Sequence, residues 1–129
     1  MAQVQLEIIR LYEDTGRLAG DFRVLVDRLW PRGLTRETVD YDQWVKELAP
    51  STDLRRWYSH DPYRFEEFSR QYRSELDTLP KLSLIESLLE KVAFSRLVLL
   101  TATRDLEHSG AMVLKSVIRE HSLFSHGLP

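Results

Sequence analysis

The sequence predicts a small α/β layered domain, a short and mostly parallel sheet packed by helices. Three observations carry that prediction. Residues 4–12 and Phe22–Leu29 read as strands, the first by alternation and the second by its β-branched and apolar content. Helical periodicity then dominates residues 40–92. The run Leu97-Val98-Leu99-Leu100 returns to strand, and a last helical pattern follows it. A strand set between helices needs a crossover connection, and hence a parallel pairing.

The elements follow in order. Val4, Leu6 and Ile8 share one side of the first strand at period two. The segment EDTGRLAGD has two glycines and no periodicity, so it is a loop. The second strand runs from Phe22 to Leu29 and ends at Pro31 and Gly33. Tyr41, Trp44, Val45 and Leu48 have the spacing of one face of a short helix, with Asp40 as its cap. Ala49-Pro50 breaks that pattern. Leu54, Trp57 and Tyr58 suggest a second short helix. Asp61-Pro62 opens a longer one, whose stripe is Phe65, Phe68, Tyr72, Leu76 and Leu79, with Pro80 as its stop. Ser83 and Glu86 have capping-box spacing ahead of a helix carrying Leu88, Leu89 and Val92. The strand at 97–103 is apolar enough to be covered on both faces. A helix over about 108–121 buries Met112, Val113, Leu114, Val117 and Ile118. Residues 1–123 form one domain, and 124–129 a frayed tail.

Composition narrows the function. The chain has 129 residues, a net charge of −2 and no cysteine. Disulfides, thiolate nucleophiles and cysteine zinc sites are excluded. The acidic balance argues against nucleic acid as a partner, because any positive patch must be local. No apolar stretch reaches the roughly 20 residues of a membrane span. No signal peptide is visible at the start, so the expected location is cytoplasmic. The motifs GxGxxG, GxxxxGK[ST], HExxH and GxSxG are absent, and the four histidines lack metal-ligand spacing. No cofactor and no metal are expected. The oligomeric state is open.

Two loops attract attention. Asp27, Arg28, Trp30 and Arg32 follow a core strand, and ligands in α/β sheets bind beyond the carboxyl ends of strands. Arginine offers a planar fork of donors for phosphate or carboxylate. Pro31 and Gly33 hold Arg32 on a stiff turn. The second loop, Thr101, Thr103, Arg104, Asp105 and His108, also leaves a strand and opens a helix. Histidine as a residue type titrates near neutrality, so His108 is a candidate proton mover, and Asp27 is the other. Arg28, Arg32, Arg104, Trp30, Lys46 and Asp105 are the candidate substrate-binding residues. Several have a structural reading too: Asp27–Arg28 as an ion pair, Trp30 as a core plug, Asp105 as a helix cap, His108 as a first-turn surface residue. Ser51, Thr52, Arg55 and Arg56 lie near Lys46 in sequence and could add positive charge, or form a solvated helix face.

The segments DRLWPRG (27–33), LAPS (48–51) and HDP (60–62) also carry a resemblance. The chain resembles the YeaO-like branch of the domain-of-unknown-function 488 family over about residues 5–118. The resemblance implies an α/β fold and a polar site, and no reaction. Members of the branch usually carry Tyr-Ala-Ala where this chain has Thr101-Ala102-Thr103, and Asn where it has Ser109. More distant members carry cysteines around the matching loop. A cysteine mechanism does not transfer to a chain without cysteine.

Two functional classes follow. In the first, strands 22–29 and 97–103 are parallel neighbours, and Arg28, Arg32, Arg104 and His108 converge on a small anionic ligand, with or without chemistry. In the second, the arginine–acid sets are structural, and Trp57, Tyr58, Tyr63 and Phe65 present a protein-interaction surface.

Overall fold

The computed structural model describes residues 5–92 and 95–126. Its strands are β1 (Gln5–Arg10), β2 (Asp21–Leu25), β3 (Gln43–Trp44) and β4 (Arg96–Thr101). They form one sheet in the order β1-β4-β2-β3, and every pairing is parallel. Its α-helices are α1 (Thr52–Tyr58), α2 (Phe65–Leu76), α3 (Leu79–Lys91) and α4 (Gly110–His126). The α/β layered fold with a parallel sheet is therefore observed, and β2 and β4 lie side by side. Val4 falls outside the described residues.

β4 is the central element because its alternation feeds two cores. Leu97 and Leu99 meet the helices, together with Val24, Phe68, Tyr72, Leu88, Leu114 and Ile118. Val98 and Leu100 meet Leu11, Leu25, Val39, Trp30 and Trp44 on the other face. Among the described residues, no α-helix contributes to that second cluster. Helices cover one face of the sheet, and the loops after β1 and β2 cover the other. Leu97 to Leu100 are all fully buried, and burying each such side chain contributes roughly 1.5–3 kcal/mol.

The structure corrects several element assignments. The second strand stops at Leu25 rather than Leu29. Val26 still donates its N–H to Leu100 O at 3.1 Å, and the chain then turns away. Residues 40–48 are not an α-helix. Gln43–Trp44 pair with β2, Val45 N–H donates to Leu25 O at 2.8 Å, and a 3-10 helix covers Lys46–Leu48. Asp40 caps nothing there; its carboxylate accepts from Arg17 Nη2 at 2.7 Å. Pro80 does not end a helix. α2 ends at Leu76, and Pro80 sits in the first turn of α3, where its missing N–H costs nothing. Ser83 therefore lies inside α3 rather than capping it. Asp61 accepts from Tyr63 N as expected, but the first turn it opens is a 3-10 helix, Pro62–Arg64, ahead of α2.

One feature escaped the sequence reading. Arg23, within β2, is fully buried. It donates from Nε to Asp40 O at 2.6 Å and from Nη2 to Asp14, while Asp21 stands 4.0 Å from Nη1. Asp21 in turn takes Arg96 in a two-pronged pair, both bonds 2.7 Å. Arg17 bridges Asp40 and Asp42. This network stands at the amino end of the sheet, opposite the loops that carry the candidate site.

Candidate functional site

At the carboxyl end of the sheet, Asp27 ties the two central strands together. Its Oδ1 accepts from Thr101 Oγ1 at 2.6 Å and its Oδ2 from Ala102 N at 2.7 Å. Asp27 O accepts from Trp44 Nε1 at 2.7 Å, which joins β3 to the same knot. Burial pushes the Asp27 carboxyl above its ordinary range, against those two bonds and a nearby His60, which pull it down. A carboxyl raised in the folded state makes the protein bind extra protons relative to the unfolded chain. The stability it gives is complete below pH ~4 and is lost as pH rises through the folded pKa. Asp27→Asn has no such dependence. The wild-type stability minus that of Asp27→Asn therefore falls as pH is raised, over a range that begins at about pH 4, in urea titrations. A difference that stays flat over that range would contradict the assignment.

Arg28 does not pair with Asp27. It reaches across to the LAPS segment, with Nε on Pro50 O at 2.9 Å and Nη2 on Ala49 O at 3.4 Å. Tyr72 donates to Leu48 O, and Glu75 accepts from Ser51 N at 2.8 Å and Ser51 Oγ at 2.5 Å. Ser51 also caps α1 by accepting from Leu54 N. The segments DRLWPRG and LAPS are thus bound to each other, side chain to backbone. Buried carbonyls without such partners would each cost about 1–3 kcal/mol.

The loop after β4 is ordered by its own bonds. Thr103 N donates to Thr101 Oγ1 at 3.2 Å. His108 Nδ1 lies 2.7 Å from Asp105 Oδ2, and the imidazole stands edge-on to Phe65 at 5.2 Å. His108 O accepts from Tyr58 OH at 2.6 Å, and burial pushes that phenol up to about 12. Asp105 is therefore the partner of His108, and its side chain caps no helix. Ser109 is the cap: its Oγ donates to Leu106 O at 2.7 Å and accepts from Met112 N at 3.1 Å. Serine and asparagine are both good caps, so Ser109 fills the capping role at this position with a shorter side chain.

Between these loops lies a cavity of about 470 Å³. Asp27, Arg28, Trp30, Arg32, Arg104, Asp105 and His108 all line it, so seven of the eight candidate residues share one space. Lys46 does not; its ammonium sits 4.9 Å over the Trp44 ring. Trp30 serves both readings. It borders the cavity, while Nε1 donates to Leu34 O at 2.6 Å and its ring packs edge-on to Trp44 at 5.5 Å. The Arg32 backbone is fixed by Tyr12 OH on its carbonyl at 2.7 Å and by Gly33 at φ 82°, a left-handed angle that favours glycine.

Two further basic residues join the cavity wall. Arg55 comes from α1, and its buried Nε has no acceptor among the described residues. Its signal was present in the sequence: Leu54 and Tyr58 form the buried stripe, and Arg55 borders it. His60 comes from the turn after α1, where Ser59 and His60 both adopt positive φ, 49° and 56°. Such angles are strained for non-glycine residues. Arg56 is exposed and lies outside the wall.

Among the described residues, none of Arg28, Arg32, Arg55 and Arg104 has a carboxylate within ion-pair distance. No group of three or more His, Cys, Asp or Glu side chains gathers there closely enough to hold a metal. No described helix is long and apolar enough to cross a membrane. Of the aromatics expected on a partner surface, Tyr63 and Trp57 are exposed, whereas Tyr58 is buried and Phe65 packs against the core.

The sequence of residues 5–125 matches the family model described as the inactive DUF488-N3 subclade. The chain belongs to that subclade. It is 37% identical over 116 residues to the uncharacterized protein Rv3073c of Mycobacterium tuberculosis, covering 90% of this chain and 95% of that one. The uncharacterized protein Mb3100c of Mycobacterium bovis matches to the same extent. The uncharacterized protein YeaO of Escherichia coli is 37% identical over 73 residues, covering 57% of this chain and 63% of YeaO. No solved structure matches. The YeaO-like assignment is thus shown, within a family of uncharacterised proteins.

Proposed function

We propose that the cavity at the carboxyl ends of β2 and β4 binds a small anion, and that this subclade member is a binding domain without a reaction of its own. The charge arrangement carries the reading. Four guanidinium groups border one cavity, and no carboxylate among the described residues is paired to any of them. Like charges so placed repel one another, and an anion relieves that repulsion. The two acids in the wall do not fill that role, because Asp105 faces His108 and Asp27 faces Thr101 and Ala102.

The absence of a reaction rests on what the two candidate proton movers already do. Both oxygens of Asp27 accept hydrogen bonds that knit β2 to β4. His108 has one ring nitrogen on Asp105 and its ring against Phe65, and no described hydroxyl bonds to that ring. No described side chain is thus poised as a nucleophile for this imidazole to activate. The subclade's description as inactive agrees with this.

Arg55 is the residue to test, since Arg28 also supports the LAPS carbonyls and its loss would disturb the loop. Inorganic phosphate is expected to raise the melting temperature of the wild type. Arg55→Gln should weaken phosphate binding by about 10- to 100-fold, the range for one charge-assisted hydrogen bond. Equal phosphate affinity in the two proteins, at matched ionic strength, would refute the anion site.

A further inference from the structure

We infer that the preferred occupant is an organic anion, a phosphate or carboxylate carried on an apolar ring-sized body, rather than a bare inorganic ion. The inference rests on the anion reading above and adds the class of ligand. Two features of the cavity lead to it. The first is size. At about 470 Å³ the cavity falls in the range of sites that enclose whole organic ligands, and a bare phosphate would leave most of it to water.

The second is the distribution of polarity. Phe68, Tyr58, Val26 and Ala111 border the cavity and belong to the helix-side core, each at 5% exposure or less. Phe68 and Tyr58 are stacked with ring centroids 4.1 Å apart and planes 16° from parallel. The Tyr58 hydroxyl is committed to His108 O, so that ring offers the cavity an apolar surface without a free polar tip. Arg32 and Arg104 are exposed, and Arg28 and Arg55 are half-buried. The wall thus combines a buried apolar surface with four guanidinium groups, two on exposed and two on half-buried residues. An inorganic anion uses only the second of these. A ring bearing an anionic head uses both, and the area it removes from water adds to affinity.

The test compares four probes on the full chain by calorimetry: phenyl phosphate, benzoate, inorganic phosphate and phenol. Phenyl phosphate is expected to bind at least about tenfold more tightly than inorganic phosphate, the factor that 1.4 kcal/mol supplies. Phenol, which lacks the anion, should bind more weakly than phenyl phosphate. Benzoate reports whether a carboxylate head serves as well, and binding by either anionic ring supports the class. Phe68→Leu should narrow the ratio between phenyl phosphate and inorganic phosphate, and Arg55→Gln should weaken both. Equal affinity for inorganic phosphate and both anionic rings would overturn the organic-anion inference and leave the anion site standing. Failure of all three anions to bind would overturn both. Tighter binding of phenol than of phenyl phosphate would show an apolar site and overturn both as well.

Discussion

Asp21→Ala is expected to destabilise the domain by about 3–5 kcal/mol, the cost of removing one partner from a buried ion-pair network. The Asp21 side chain is 1% exposed. Its carboxylate takes both prongs of Arg96 at 2.7 Å and accepts from Leu18 N at 2.9 Å. It is also one of two carboxylates beside Arg23, whose Nη1 has no hydrogen-bond partner among the described residues. Alanine leaves Arg23 buried with less compensating charge and Leu18 N–H without its acceptor. Against a typical total stability of about 5–15 kcal/mol, that is a large share. The pair with Arg96 holds the Asp21 carboxyl below the usual range, despite an opposing contribution from burial. Its stabilisation is therefore present above pH ~4 and is lost as pH falls through the folded pKa. The gap between wild type and variant in urea titrations should be largest near neutrality and shrink in acid. Glu67→Ala, which breaks the exposed pair with Arg70 on α2, should leave the midpoint almost unmoved. A similar small shift for Asp21→Ala would mean that the network does not stabilise the fold.

The sequence made β4 plain because four successive apolar residues have no helical face to choose, and a two-sided core accepts all of them. It misled at residues 41–48 for the same reason. Tyr41 and Trp44 pack on the loop side of the sheet, and Val45 and Leu48 on the helix side. Two faces sampled in turn reproduced the spacing of one helical stripe. Arg23 gave a faint signal, a basic residue between Phe22 and the apolar run Val24-Leu25-Val26, with aspartates at 14, 21, 40 and 42 near it in sequence. Pairing it with them required the parallel register of β2 and β3, which brings Asp42 N–H within 2.7 Å of Arg23 O.

The candidate site was legible in part. Strand ends predicted where Asp27 and Arg104 converge, because parallel neighbours deliver their loops to one edge. The division of labour among the arginines was not legible. Arg28 looked like a ligand fork and is bonded to Ala49 and Pro50 carbonyls. Arg55 could be read from the sequence as added positive charge or as a solvated helix face, and it borders the cavity. Both outcomes depend on how α1 is anchored through Ser51 and Glu75. That is a contact between residues 24 positions apart, which local periodicity does not report.

Phe68→Ala should cost about 3–5 kcal/mol, the range for emptying a buried aromatic position. Phe68 is 2% exposed and stands at the junction of core and cavity. It stacks on Tyr58 at 4.1 Å and lies 5.7 Å from Tyr72 and 6.2 Å from Phe65. Tyr58 holds the His108 carbonyl and Tyr72 holds the Leu48 carbonyl. The ring is thus the common packing partner of two side chains that brace the loops around the cavity. Alanine removes the packing that keeps both phenols aimed, so the loss should extend beyond stability. Below the melting transition, amide exchange at residues 48–51 and 106–109 should accelerate more in Phe68→Ala than elsewhere in the sheet. Phe68→Leu retains most of the volume and should cost well under half as much. If both variants were equally stable, or exchange rose uniformly, Phe68 would be an ordinary core residue with no special hold on the site.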